Sequence, residues 1–167
     1  MGAIDVRIAE RWFFPAVLAA SLGALAVALT AQYGFGLEPC VLCTYQRIPY
    51  WAVAGMALVA LLMPESDRGG VAMMIAVVFA LGAALAFYHF GVEQKWWAAA
   101  TACAAQGGMP TSFDAFRAQP LAPIAKPCDA VDWTVFGLSI TLYNSAMSLS
   151  LAVIAFAAAV SLRKRDP

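Results

Sequence analysis

Charge is scarce in this sequence of 167 residues. Asp, Glu, Lys and Arg make up only 12% of it, against about a quarter in ordinary soluble domains. The ten basic and ten acidic side chains cancel, so the formal net charge at pH 7 is zero. This balance excludes a broad electrostatic surface for nucleic acid. The apolar excess, 63% hydrophobic residues with a mean hydropathy of +0.77, indicates a membrane protein.

Histidine and cysteine are also scarce, and their positions exclude two kinds of site. His89 is the single histidine, and Thr44 follows the C-x-x-C segment at residues 40–43, where a c-type haem attachment site needs histidine. The other two cysteines, Cys103 and Cys128, are too far apart in the chain to form the second close pair of a four-cysteine zinc site. We therefore predict no metal.

Charge-free intervals locate the membrane spans, because a helix needs about 20 mostly apolar residues to cross the hydrocarbon core. The second interval is short, so its helix is expected to begin before Ile48, with Gln46 and Arg47 in its first turns. The sequence predicts an all-α membrane protein, a single integral domain over residues 1–167 built as an antiparallel bundle of four transmembrane helices. We place these helices near residues 12–32, 45–63, 71–90 and 142–162.

Two loops are predicted on the side of the bundle that carries the cysteines, at about residues 33–44 and 91–141. Lys and Arg are more frequent on the other side, which predicts cytoplasmic termini and extracytoplasmic cysteine loops. A cleaved signal peptide within residues 1–31 is the rival interpretation, but its apolar run is longer than usual. The second loop, rich in Pro and Gly, is predicted to be irregular, and residues 113–117 fit either a short amphipathic surface helix or a small hydrophobic contact.

The placement of all four cysteines in these loops favours disulfide chemistry in an oxidising compartment. Two structural disulfides, one in each loop, are one interpretation. A bridge between Cys40 and Cys43, however, closes too small a ring to remove much entropy from the unfolded chain. Cys40 and Cys43, called the close pair below, therefore indicate a redox-active site.

Residues near the close pair support a redox role. Cys43 is predicted at the start of the second helix, where free N–H groups and the helix dipole favour a thiolate. Arg47, four residues later, would lie on the same helical face, favour the thiolate further and hold an anionic or electron-rich ligand. The alternative for Arg47 is an interfacial arginine that snorkels to lipid headgroups.

His89 is predicted at the outer end of the third span, level with the cysteine loops. It is either an interfacial ring with one hydrogen bond or a proton donor to a ligand beside Arg47. Glu93, Trp96 and Trp97 follow at once and are typical of an interfacial belt.

Several of these features together resemble the DsbB family of bacterial inner-membrane disulfide-generating proteins. They are the segment Cys40-Val41-Leu42-Cys43 followed by Gln46-Arg47, His89 near the end of the third span, and two further cysteines in the long second loop. Residues 128–138 are similar to the family's sequence after its last cysteine. The resemblance covers nearly the whole chain.

The resemblance implies an electron path. A reduced periplasmic protein similar to DsbA would attack a Cys103–Cys128 disulfide at Cys103, and Cys128 would then attack Cys40 of a Cys40–Cys43 disulfide. The released Cys43 thiolate would pass the electrons to a bound quinone, either ubiquinone or menaquinone. By the same resemblance, the quinone site would include Gln46, Arg47 and His89.

Three other interpretations compete with this one. A vitamin K epoxide reductase-like protein also combines a four-helix bundle with a C-x-x-C segment, but its loop pair comes before that segment, whereas here the order is reversed. A non-catalytic membrane assembly protein would carry two structural disulfides. A transporter would be expected to carry a charge at mid-depth in a span, and none is predicted here.

Overall fold

A computed structural model of the chain describes residues 3–64, 68–98, 126–131 and 133–164, with side chains from Arg11 onward. Cys103 and the segment at residues 113–117, for which a surface helix was one prediction, lie outside these residues. The predicted domain limits and loop boundaries stay predictions.

Helices dominate the described residues. Three stretches are long and apolar enough to cross a membrane, namely Arg11–Gly34, Arg68–Glu93 and Ile140–Arg163. A fourth apolar helix is shorter but is extended at its start by one more helical turn. The all-α membrane bundle predicted from the sequence is confirmed. The helices are α1 (Ala3–Leu29), which continues as a π-helical turn (Thr30–Gly34), α2 (Val41–Tyr45), α3 (Arg47–Leu62), α4 (Arg68–Glu93) and α5 (Ile140–Arg163).

A break at Gln46 separates α2 from α3. Pro49 has no N–H group, so the carbonyl of Tyr45 lacks its partner four residues later, and the proline ring crowds that carbonyl. The N–H of Gln46 still donates to the carbonyl of Leu42 at 3.0 Å, so the two helices nearly form one span. Gln46 itself keeps helical backbone angles, with φ −65° and ψ −14°.

The helices pack as antiparallel neighbours. Helix α4 lies along α5 and α1 lies along α3, while contacts of α3 with α4 and of α1 with α5 complete the bundle. Gly82 permits the close approach of α4 to α3, since a Cβ atom there would lie 3.2 Å from the Pro49 ring. At the turn between α3 and α4, the Arg68 guanidinium donates to the carbonyls of Ala60 and Met63 at 3.0 and 3.1 Å.

A small hairpin precedes α5, in a region where the sequence predicted irregular structure. Strands β1 (Thr134–Val135) and β2 (Leu138–Ser139) pair antiparallel, with Val135 opposite Leu138. Phe136 and Gly137 form the turn with φ angles of 50° and 79°, and such left-handed pairs match the twist of a two-residue hairpin. Strands of two residues are too short to show a period in the sequence.

Candidate functional site

The sulfur of Cys40 caps helix α2. Its Sγ accepts a hydrogen bond from the backbone N–H of Cys43 at 3.2 Å, and its carbonyl accepts from the N–H and the hydroxyl of Thr44 at 3.1 and 3.2 Å. The Cys40 thiol lies 2.8 Å from the sulfur of Cys43, to which it donates. The sequence placed Cys43 at the helix start, whereas Cys40 is the capping residue and Cys43 is the third residue of the helix.

These contacts make the two sulfurs chemically unequal. The hydrogen bond to Cys43 and, second, burial raise the pKa of Cys40 from 9.0 to about 12. The raised pKa means that the neutral thiol is the stable form of Cys40 at physiological pH. Cys43 is only half-buried and accepts the proton of its neighbour, so it is the better placed of the two to act as the nucleophile.

This inequality predicts an order of alkylation. In a reduced chain with Cys103→Ser and Cys128→Ser, iodoacetamide at pH 8 is expected to modify Cys43 first. Cys40 would be slow because its raised pKa, about 12, keeps it as the neutral thiol at pH 8. Its initial rate, taken before Cys43 is modified, should rise with pH. Peptide mass spectrometry measures both rates, and faster labelling of Cys40 at pH 8 would contradict the assignment.

His89 joins the close pair to the other cysteine loop. Its Nε2 lies 3.6 Å from the Cys40 sulfur and 3.2 Å from the carbonyl oxygen of Cys128, and its Nδ1 lies 2.7 Å from the Gln46 amide nitrogen. The Gln46 oxygen accepts from the Asn144 side chain at 2.5 Å, which orients the amide so that its nitrogen faces the ring. Nδ1 therefore accepts, and Nε2 carries the proton that His89 donates to the Cys128 carbonyl.

The hydrogen bonds continue from Gln46 into the bundle. The Tyr50 hydroxyl donates to the Asn144 side-chain oxygen at 2.6 Å. The Ser148 hydroxyl lies 3.0 Å from the Tyr50 hydroxyl oxygen. Gln46 and His89 were predicted as site residues from the sequence, whereas Asn144 and Tyr50 were not. Their signal was available, because a polar side chain inside an apolar span needs a partner within the bundle.

Loss of Gln46 is expected to destabilise the fold. Gln46→Ala leaves His89 Nδ1, which is buried, and the Asn144 amide nitrogen, which is partly buried, without their present partners, at a cost of about 1–3 kcal/mol for a buried group. For a chain of this size, each kcal/mol lowers Tm by about 2–4 °C. Thermal unfolding in detergent measures the effect. Ser150→Ala is the control, because this exposed hydroxyl bonds only within its own helix, and an equal fall in Tm there would contradict the prediction.

Cys128 lies against Cys40 in a compact apolar cluster. Its side chain is fully buried, and the cluster also contains the buried side chains of Leu42 and Val92. A cysteine of the second loop is thereby held beside the close pair of the first, which sequence spacing could not establish. Cys103 lies outside the described residues.

Glu93 occupies a position that the sequence did not predict. It was expected in an interfacial belt with Trp96 and Trp97, but its side chain is buried, accepts a hydrogen bond from Thr141 at 2.6 Å and lies 3.9 Å from Nε2 of His89. The two tryptophans are exposed, in line with their predicted place at an interface. Glu93 thus belongs to the polar surroundings of His89.

A cavity of about 500 Å³ opens on the other side of Cys43, between α1, α3 and α5. Most of its wall is apolar, and Gln46, Arg47 and Tyr50 are among its polar lining residues. Arg47 donates to the Gln32 side chain at 2.5 Å, and Gln32 is carried by the π-helical turn after α1. The Nε–H of Arg47 is buried and has no protein partner among the described residues.

Cys43 thus borders two environments. One contains three cysteine sulfurs and a histidine, which suits exchange of disulfides between the loops. The other is an apolar cavity with an unsatisfied cationic donor, which suits a flat apolar molecule carrying an electron-rich oxygen.

Comparisons with known proteins agree with this geometry. The model of the family described as disulfide bond formation protein DsbB matches residues 10–158. Proteins named disulfide bond formation protein B from Aromatoleum aromaticum and Xanthomonas axonopodis pv. citri are 34% and 31% identical to the chain, covering 93% and 92% of it and 94% and 95% of their own lengths. One from Xylella fastidiosa is 27% identical over 87% of both chains. No solved structure matches significantly. The chain is a disulfide-forming membrane protein of the DsbB family.

Proposed function

We propose that this protein is a thiol:quinone oxidoreductase that makes disulfides for a partner protein and passes the electrons to a membrane quinone. The observation that carries the proposal is the position of Cys43 between the buried Cys40–Cys128 cluster and the apolar cavity beside Arg47. Membership of the DsbB family supports the disulfide chemistry.

The first steps occur between proteins and between loops. A reduced periplasmic DsbA-like protein attacks the Cys103–Cys128 disulfide at Cys103, and its second thiol then resolves the mixed disulfide, which leaves the partner oxidised. The freed Cys128 attacks Cys40 of the Cys40–Cys43 disulfide, and Cys43 leaves as a thiolate. Cys103 then attacks Cys128, which restores the loop disulfide and leaves Cys40 and Cys43 reduced. The burial of Cys128 beside Cys40 supports the exchange between the loops.

The cavity fits a quinone ring. Its volume of about 500 Å³ and its apolar wall suit a ring with an isoprenoid tail, and the unpaired Nε–H of Arg47 can donate to a carbonyl oxygen. Cys40 and Cys43 re-form their disulfide by giving up two electrons and two protons, for which a bound quinone would be the acceptor. Cys43 delivers the electrons from the cavity wall, and Arg47 orients the acceptor and stabilises developing negative charge.

The proton of Cys40 has a nearby base. His89 Nε2 is 3.6 Å from the sulfur, and Glu93 lies 3.9 Å from the same nitrogen. As the disulfide closes, His89 would take the thiol proton and pass its own Nε2 proton to Glu93, which would release it to the water that supplies the protons of the reduced quinone. In the reduced state this ring also holds the Cys128 carbonyl beside the close pair.

The proposed setting is the bacterial inner membrane. Both termini would lie in the cytoplasm and the cysteine loops in the periplasm, where an oxidising compartment permits lasting disulfides. Ubiquinone and menaquinone both serve as acceptors in the test below.

An anaerobic assay tests the proposal. The purified protein, with its disulfides intact, is mixed in catalytic amount with a reduced DsbA-like protein, and partner thiols are counted with and without added ubiquinone or menaquinone. The expected result is loss of two thiols per quinone reduced. Persistence of the thiols with both quinones, in a protein that remains folded, would contradict the proposal and favour two structural disulfides.

A further inference from the structure

We propose that the reduced close pair and His89 form a binding site for a thiophilic dication, Zn²⁺ or Cd²⁺. Among the described residues, Cys40, Cys43 and His89 are the group whose ligand atoms come together, all within 4.8 Å of one another. The inference needs only reduced cysteines and does not depend on quinone reduction. It departs from the sequence-based prediction of no metal, which considered a four-cysteine site.

The three ligand atoms nearly match a tetrahedral zinc site. Bonds of about 2.3 Å to sulfur and 2.0–2.1 Å to nitrogen place ligand atoms roughly 3.5–3.8 Å apart. The Cys40 sulfur and His89 Nε2 are 3.6 Å apart, which already fits. The sulfurs of Cys40 and Cys43 are 2.8 Å apart, so they must separate by about 1 Å, within reach of a side-chain rotation on a short helix.

The metal would replace the proton that now links the two sulfurs. Cys40 donates to Cys43, and a dication in the same place would bind both as thiolates and release their protons. Two thiolates, a neutral imidazole and a dication have no net charge, which reduces the cost of burial.

His89 must present a bare Nε2 to the metal. Its proton would move to Nδ1, which then needs an acceptor in place of the Gln46 nitrogen. A donor and an acceptor are both present on the side chains of Gln46, Asn144 and Tyr50. The two amides can therefore flip by 180°, and every hydrogen bond of this network can then reverse its direction. The surroundings of His89 thus accept both tautomers.

The metal would act on the reduced form only. A disulfide between Cys40 and Cys43 removes both thiolates, so the oxidised protein has no such site. Conversely, a bound metal prevents Cys40 and Cys43 from forming a disulfide. Cys43 is only half-buried, which leaves part of its surface accessible to an ion. The expected consequence is reversible inhibition of the reduced protein by the metal.

The test uses the full chain with Cys103→Ser and Cys128→Ser, which leaves Cys40 and Cys43 as its thiols. Cd²⁺ is added without oxygen, and the ultraviolet Cd–thiolate absorption band is followed. One ion per reduced chain and none per oxidised chain are expected, with His89→Ala weakening the affinity at least about tenfold. Equal binding by the oxidised chain, absence of binding by the reduced chain, or unchanged affinity in His89→Ala would overturn the proposal.

X-ray absorption keeps the test decisive if His89→Ala fails to fold. The zinc-loaded reduced chain is expected to show two sulfur ligands at about 2.3 Å and at least one nitrogen at about 2.0–2.1 Å. A shell with more than two sulfurs, or with no imidazole scattering, would overturn the site. Ser150→Ala in the same background controls for effects of substitution on the bundle.

Discussion

Replacement of Cys43 by serine is expected to lower quinone-dependent oxidation of a DsbA-like partner below about 1% of the wild-type rate, because serine neither forms a disulfide nor ionises near neutral pH. The fold should survive, since the Cys43 sulfur is half-buried and the cap of α2 uses its backbone N–H, which serine retains. Partner thiols measured without oxygen give the rate, and thermal unfolding gives the stability.

A neighbour on the same helical turn provides the control. Thr44→Val removes one hydrogen bond from a hydroxyl to the Cys40 carbonyl and leaves both sulfurs in place, so its rate should stay within a few-fold of wild type. In the Cys43→Ser chain, Cys40 has no disulfide partner of its own, so its thiol is expected to attack Cys128 of the Cys103–Cys128 disulfide and release Cys103 as a thiol. A Cys40–Cys128 disulfide should then accumulate. A large fall in Tm for Cys43→Ser with turnover intact would instead indicate a structural disulfide.

Loss of the Arg47 side chain should weaken the binding of quinone. A hydrogen bond to a charged group contributes about 1.5–3 kcal/mol, so Arg47→Met should raise the KM for quinone by about 10–100-fold. A fall in kcat as well would show that Arg47 also stabilises the charge that develops during reduction. Arg47→Lys keeps the charge but loses Nε–H, and an intermediate KM is expected. Rates at several quinone concentrations separate KM from kcat.

Arg68 is the matched control for Arg47. Its guanidinium donates to the carbonyls of Ala60 and Met63 at the turn between α3 and α4, away from the cavity. Arg68→Met should therefore lower Tm and leave the KM for quinone unchanged. An equal rise of KM in both variants would mean that loss of either arginine disturbs the bundle in general. That result would contradict a direct contact between Arg47 and the quinone.

Much of the fold followed from the sequence because the membrane imposes simple demands. Apolar runs must be long enough to cross the hydrocarbon, and their backbone polar groups must pair within the helix. The prediction that the second helix begins before Ile48 agrees with α2, which begins at Val41. The break at Gln46, which was not predicted, also has a cause in the sequence, namely Pro49.

The contacts of the site were less accessible. Spacing alone placed Cys40, Cys43 and Arg47 near one another, but it gave no distance between His89 and the cysteines and did not bring Cys128 to Cys40. Those contacts depend on how α4 packs and on the path of a loop, which hydrophobic periodicity does not encode. Glu93 was misplaced for the same reason, because the nearby tryptophans suggested an exposed position.

The hairpin before α5 limits how far Cys128 can travel. An extended chain spans at most about 3.3–3.6 Å per residue, and five residue steps separate Cys128 from Trp133, whose carbonyl is bonded to the N–H of Ile140 at 3.1 Å. While this hydrogen bond is intact, Cys128 can lie at most about 17 Å from Trp133. A Cys103–Cys128 disulfide is therefore held close to the bundle, and a partner that attacks it at Cys103 must approach the bundle.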